Sequence, residues 1–244
     1  MKLARAQGSP SRAIFKLEQI DDMASNYIKR KQDKQSSIKG IIRPGTTVLD
    51  LGAAPGGWSK YVAKRLQANG VLIAVDLLAL DGGTVTSIES DHYAPSFHVI
   101  QGDFTTDRVK EEIIDLIVNH ENQSNQRGVE CVISDMAANF TGDQLTDALR
   151  TMNLCEDALM LAAGPSCFDE RYIAGSAEAE DGLLNRGGTF LTKFFACGTQ
   201  NEKDLMDATK RHFELSTVLK PNASRKESAE LYLFATGYKG GKQI

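Results

Sequence analysis

Short apolar runs alternate with helix-length segments along most of this chain, and that alternation limits its fold more than any other feature. Thr47-Val-Leu-Asp-Leu and residues 71–76, 97–101, 129–135 and 188–195 each have the length and aliphatic content of a buried strand. Between them, residues 58–66, 108–120 and 146–163 carry apolar side chains at helical spacing. Parallel strands need a crossover long enough to hold a helix, so the pattern predicts a parallel sheet with helices on both faces. After a helix over 201–212, two more runs, 215–219 and 230–236, are close enough to form an antiparallel hairpin. The expected fold is therefore α/β: seven strands, mostly parallel, with an antiparallel edge strand. The 244 residues suffice for a single such domain, 1–244.

Three stretches fall outside the alternation. Residues 11–23 place Ile14, Phe15, Leu17 and Ile20 at helical spacing, with Ser11 available as an N-cap. Residues 24–43 are polar and Lys-rich, and read as a loop or a frayed extension of that helix. Residues 164–186 contain Gly164-Pro165, an acidic run and Gly182, and read as an inserted surface loop. The formal net charge of −4 conceals a strong asymmetry. Residues 1–43 hold ten Lys/Arg against four Asp/Glu, and residues 220–244 hold five against two, so the centre is acidic. Two basic ends bear on function only if they fold beside the same face.

Other classes are disfavoured. Cys131, Cys155, Cys167 and Cys197 form no C-x-x-C pair, and His92, His98, His120 and His212 are dispersed, so no metal centre or disulfide framework is expected. The apolar run around residues 71–80 is interrupted by Asp76 and falls short of the ~18 residues a membrane span needs. The start Met1-Lys-Leu-Ala-Arg has no apolar core, so a secretory signal is not expected; a remnant of an organelle transit peptide stays open.

The stretch Asp50-Leu-Gly-Ala-Ala-Pro-Gly-Gly-Trp58 joins the first strand to the first crossover helix. Gly52, Gly56 and Gly57 let the backbone turn tightly and approach a ligand beside a helix N-terminus. Asp76 at the end of the second strand and Gln101-Gly-Asp103 after the third put carboxylates along the same sheet edge, where open α/β folds bind their ligands. The glycine spacing is not G-x-G-x-x-G, which counts against a nicotinamide dinucleotide.

The chain resembles the FtsJ/RrmJ family of RNA ribose 2′-O-methyltransferases. The resemblance is carried, in family order, by Ser11-Arg-Ala-Ile-Phe-Lys-Leu17, Leu49-Asp-Leu-Gly-Ala-Ala-Pro-Gly-Gly-Trp58, Asp76-Leu-Leu-Ala-Leu-Asp81 and Gln101-Gly-Asp-Phe104. Ser134-Asp-Met-Ala-Ala-Asn139 with Gly142, Gly187-Gly-Thr-Phe-Leu-Thr-Lys193, and Lys220-Pro-Asn-Ala-Ser-Arg225 leading to Glu230-Leu-Tyr complete it. It implies a Rossmann-like fold, S-adenosylmethionine as cofactor, and methylation of a ribose 2′-hydroxyl. Asp135-Met-Ala-Ala-Asn is closer to the ribosomal-RNA branch than to the tRNA branch, which implies a uridine of large-subunit ribosomal RNA as acceptor. The expected partner is that RNA or a large-subunit particle, met by a monomer in the cytoplasm of a bacterium or in an organelle such as the mitochondrion. Ala138 stands where members often carry proline.

Carried over by motif, the family's catalytic tetrad falls on Lys16, Asp135, Lys193 and Glu230. The residues support this on their own terms: a lysine among Phe190, Leu191, Phe194 and Phe195 is costly unless paired or working. Its bland alternative is an edge-strand lysine reaching to solvent. The resemblance implies that Lys193 accepts the hydroxyl proton, kept neutral by burial and by Lys16, with Asp135 orienting it; pairing with a carboxylate would oppose that neutrality and leave Lys193 to act through positioning instead. Gly52, Gly56, Gly57, Trp58, Asp76, Asp103 and Asp135 are the implied cofactor contacts. Residues 1–43 become an RNA-binding extension, with Arg5, Arg12, Lys220 and Arg225 as the candidate phosphate contacts. The competing readings are the same chemistry on tRNA or an mRNA cap, a dehydrogenase, and an idle ribosome-assembly factor on a methyltransferase fold.

Overall fold

A computed structural model describes residues 10–31, 40–121, 128–169, 182–224 and 228–240. Arg5 and Arg225 therefore lie outside the described residues, as does the middle of the expected 164–186 loop.

Seven strands form one sheet in the order β3-β2-β1-β4-β5-β7-β6. They are β1 (Thr47–Leu51), β2 (Val71–Asp76), β3 (Ser96–Gln101), β4 (Val129–Ser134), β5 (Leu184–Phe195), β6 (Phe213–Leu219) and β7 (Glu230–Tyr238). The pairings among β1 to β5 are parallel. β7 runs antiparallel to both β5 and β6, and lies one place in from the outermost β6. The helices are α1 (Pro10–Lys31), α2 (Gly57–Leu66), α3 (Gly82–Glu89), α4 (Asp107–Glu121), α5 (Gln144–Ala163) and α6 (Gln200–His212).

Burial divides the helices between the two faces. Leu49, Leu51, Ile73 and Val75 pack with Val109 and Ile113 of α4, Met152 and Leu159 of α5, and Leu205 of α6. Val48, Leu72, Ile133 and Leu191 face the opposite way, toward Leu17, Ile20, Ala24 and Ile28 of α1, Trp58 and Val62 of α2, and Ile88 of α3. The alternation of strand side chains produces this division. No described helix is long and apolar enough to cross a membrane.

Of the two readings of the segment after residue 23, the structure takes the helical one for residues 24–31: α1 continues to Lys31 because Ala24 and Ile28 extend the apolar stripe of Leu17 and Ile20 by further helical turns. This part of the supposed extension is thus a structural member of one face. β5 also begins at Leu184, inside the expected loop, because pairing with β4 from Val129↔Leu184 onward supplies hydrogen bonds that Gly187-Gly188 obscures in the sequence. Gly164 and, in the 3-10 turn Pro165–Phe168, Cys167 are likewise buried.

Candidate active site

The strand order reverses between β1 and β4, since β1 continues to β2 on one side and meets β4 on the other. Ligands of open α/β sheets bind beyond the strand C-termini at such a reversal. Here that place lies between the Gly52–Trp58 loop after β1 and the segment from Asp135 after β4. The two loops touch: a Cβ on Gly52 would come within 2.2 Å of Met136 Cγ. Gly52 (φ 75°) and Gly56 (φ 110°) both occupy the left-handed region, so glycine is required there twice over.

Asp76 supports this loop from β2. Its Oδ2 accepts a hydrogen bond from the Ala54 amide at 2.9 Å and its Oδ1 one from the Leu78 amide at 2.8 Å. Asp103 is exposed, and its Oδ1 accepts from the Thr105 amide and hydroxyl, which ties it to its own turn after β3. Gly56 caps α2 without a side-chain hydrogen bond. Beneath the loop, Asp50 is fully buried; its Oδ2 accepts from Ser59 Oγ at 2.7 Å, while Oδ1 has no partner. Burial pushes this carboxyl up to about 7, against the pull of the Ser59 bond, and the charges of Asp135 and Asp76 push the same way. The Trp58 indole N–H is likewise buried without a partner. An unsatisfied acceptor, an unsatisfied donor and an uncapped helix start beside one tight loop fit a zwitterionic, ribose-bearing cofactor such as S-adenosylmethionine.

The four expected catalytic side chains come together at the other side of the crevice. Lys193 lies on the interior strand β5, only 8% exposed, which rules out a lysine reaching to solvent from an edge. Its Nζ meets Asp135 Oδ1 at 3.0 Å and donates to the Asp135 carbonyl. Lys16, on α1, meets Glu230 at 3.0 Å from Oε1 and 3.1 Å from Oε2. Each lysine thus faces a carboxylate, so the expected neighbourhood of Lys16 around Lys193 resolves into two ion pairs side by side.

Tyr232 joins the pairs. Its hydroxyl donates to Asp135 Oδ1 at 2.9 Å, and Lys16 Nζ lies 5.8 Å from its ring centroid. Burial, then the neighbouring Asp135 carboxylate, raises this phenol well above its ordinary range, so it stays a donor. The ring also lies 5.9 Å from that of Trp58, linking these four side chains to the loop after β1. Sequence reasoning missed Tyr232, although its place two residues after Glu230 on a strand is a signal for a shared face. It also missed Ser224, whose hydroxyl donates to Glu230 Oε1 at 2.6 Å.

The described parts of both basic ends meet here. The Ala223 amide donates to Gln19 Oε1 at 2.9 Å, and Tyr27 of α1 donates to the Ser216 carbonyl of β6 at 3.0 Å. Arg12 on α1 and Lys220 after β6 are both exposed, and Lys220 Nζ donates to the Ser228 carbonyl. The described start of α1 and the segment after β6 are therefore joined beside Glu230.

Comparison with known proteins places the chain in a family. The model of the FtsJ-like methyltransferase family matches residues 10–238. Proteins named ribosomal RNA large subunit methyltransferase E are similar over nearly the whole chain. The one from Legionella pneumophila (strain Corby) is 34% identical over 98% of this chain and 90% of its own. The one from Pseudomonas fluorescens (strain Pf0-1) is 36% identical over the same shares. Among solved structures, a ribosomal RNA methyltransferase from Plasmodium falciparum shares the fold, with a TM-score of 0.60 and 20% identity over 96% of this chain and 100% of that one.

Proposed function

This chain belongs to the FtsJ-like methyltransferase family and is an S-adenosylmethionine-dependent RNA methyltransferase, and from that premise we propose that it methylates a ribose 2′-hydroxyl of large-subunit ribosomal RNA, at a uridine. The observation that carries this reading is the convergence of the Lys193–Asp135 and Lys16–Glu230 pairs on Tyr232, next to the loop after β1. The names of the similar proteins support the choice of RNA. The enzyme acts as a monomer on ribosomal RNA or a large-subunit particle, in the compartment where those particles are assembled.

S-adenosylmethionine, when bound, supplies a methyl group activated by its sulfonium, so the protein has little leaving-group chemistry to perform. Its work is to align the acceptor oxygen and manage one proton. Gly52, Gly56, Gly57 and Trp58 would hold the cofactor, with Asp76, Asp103 and Asp135 supplying carboxylates to its polar groups. Asp135 fixes Lys193, with its carboxylate and its carbonyl both engaged on Nζ. Lys193, fixed in this pair, orients the ribose 2′-hydroxyl for attack on the methyl group and takes the hydroxyl's proton only when its amine has first given up its own. Glu230, fixed by Ser224, holds Lys16 against the same ribose. Arg12 and Lys220, with Arg5 and Arg225 in the adjoining segments, grip phosphates on either side.

The test is transfer of labelled methyl to undermethylated large subunits, free ribosomal RNA and tRNA, with the product mapped by resistance of the 2′-O-methylated linkage to alkali. Label at one ribosomal ribose is expected. Label on tRNA alone would keep the chemistry and overturn the substrate. Cofactor binding without any transfer would favour an assembly factor.

A further inference from the structure

Two aromatic rings stand at the mouth of this site with no part in the chemistry described so far. Phe140, five residues beyond Asp135, is 60% exposed, and its ring meets that of Phe195 edge-on, with centroids 5.8 Å apart. Phe195 is half-buried at the C-terminal end of β5. It lies two residues beyond Lys193, and in the β5–β7 register it pairs with Glu230 while Lys193 pairs with Tyr232. Residues two apart on a strand, and residues directly opposite across a ladder, share one face. Phe195 is therefore on the face of the sheet that carries Lys193, Tyr232 and Glu230.

The segment bearing Phe140 is held in place on both sides. The Ala138 amide donates to Thr151 Oγ1 at 3.2 Å. The Thr141 amide and hydroxyl each donate to Asp147 Oδ1 at 2.7 Å, and the Gly142 amide donates to Oδ2 at 3.2 Å. Asp147 and Thr151 are themselves buried in α5. Hydrogen bonding with the Thr141 backbone holds the Asp147 carboxyl below its ordinary range, so it remains an acceptor near neutral pH. A large apolar ring on a firmly tied loop, pointing largely into water, has no packing explanation.

We propose that Phe140 and Phe195 form a stacking platform for the unpaired base of the acceptor nucleotide. This rests on the reading that the acceptor is a ribose held at Lys193. A ribose at that position carries its base with it, and a base drawn out of an RNA stack needs an apolar, flat surface to replace its lost neighbours. The exposed ring of Phe140, in contact with Phe195 on the strand that carries Lys193, offers such a surface. Stacking is tolerant of base identity, so the platform contributes orientation of the ribose more than sequence choice.

The test replaces Phe140 by Ala, Leu and Trp, and measures methyl transfer to whichever RNA the wild-type chain labels, with cofactor affinity measured separately by calorimetry. Base–aromatic stacking of ordinary strength predicts a loss of roughly 5- to 100-fold in kcat/KM for Phe140→Ala. Phe140→Leu, which keeps apolar bulk without a π face, should stay low; Phe140→Trp should recover most activity. Cofactor affinity should not move. Wild-type rates in Phe140→Ala or Phe140→Leu would overturn the platform and leave the methyltransferase reading standing. A parallel fall in cofactor affinity would assign the rings to the cofactor and overturn the platform as well. Absence of transfer to any RNA by the wild-type chain would overturn the substrate reading, and the platform with it.

Discussion

Replacing Asp50 by Asn should change how stability depends on pH. The carboxyl is fully buried in β1 with one oxygen on Ser59 and the other unsatisfied, and burial pushes it from an ordinary 3.8 to about 7. Between those values the folded chain binds a proton at Asp50 that the unfolded chain has released. Stability therefore falls as pH rises from about 4 to about 7, and the loss is complete above 7. At about 1.4 kcal/mol per pH unit, the ionised carboxylate costs on the order of 4 kcal/mol, a ceiling rather than a central value. Asparagine does not ionise, keeps an oxygen for Ser59, and buries an amide group whose missing partner costs about 1–3 kcal/mol at every pH. Near pH 4 the variant should be the less stable protein, and by pH 8 the more stable one. Urea unfolding of both proteins without cofactor, followed by the fluorescence of the single tryptophan, Trp58, measures the difference directly. A difference that stays constant from pH 4 to 8 would refute the account of Asp50 as a buried carboxyl held largely protonated by the fold.

Lys193→Ala should lower methyl transfer by about 10²- to 10⁴-fold, the usual contribution of a proton acceptor, while cofactor affinity measured by calorimetry stays nearly intact; an active variant would remove Lys193 from that role. Asp76→Ala deprives the Ala54 and Leu78 amides of their acceptor and should weaken cofactor binding about tenfold or more. Normal affinity in that variant would show that the loop after β1 does not depend on Asp76. Asp21 accepts from the Ile41 amide and the Tyr61 hydroxyl beside Arg65, which joins α1 to the segment before β1 and to α2. Asp21→Ala should cost about 2–4 kcal/mol in urea unfolding and reduce transfer by displacing the helix that bears Lys16. Unchanged stability would show that α1 is held by its apolar stripe alone.

Most of the fold was legible because its central strands β1, β2, β4 and β5 are buried on both faces along most of their length and its helices are amphipathic, two periodicities that survive without tertiary information. The failures have local causes. Gly82-Gly83 at the start of α3 hides that helix, which Asp81 initiates by accepting from the Thr84 amide at 2.8 Å. The basic run Lys29-Arg30-Lys31 left the end of α1 undecided between loop and helix, although Ile28 is buried. Gly187-Gly188 hides the first part of β5, whose pairing with β4 shifts register between Val129 and Cys131.

The site was legible in a different way. Lys16, Asp135, Lys193 and Glu230 come from α1, the loop after β4, β5 and β7, and no local spacing connects them; only the resemblance of ordered motifs did. What joins them physically is the antiparallel return of β7 alongside β5, which sets Lys193 opposite Tyr232 and Phe195 opposite Glu230. A slip of one residue in that ladder would turn Tyr232 and Glu230 to the α5 and α6 side and leave Lys193 and Lys16 without this arrangement. The side chains that sequence reasoning missed, Tyr232, Ser224 and Gln19, are the ones whose partners exist only once β7 and α1 have docked. On the proposed roles, register on β7 is a condition of catalysis as much as of stability, and the loop from Lys220 to Ser224, tied to α1 through Gln19, is placed to hold both at once.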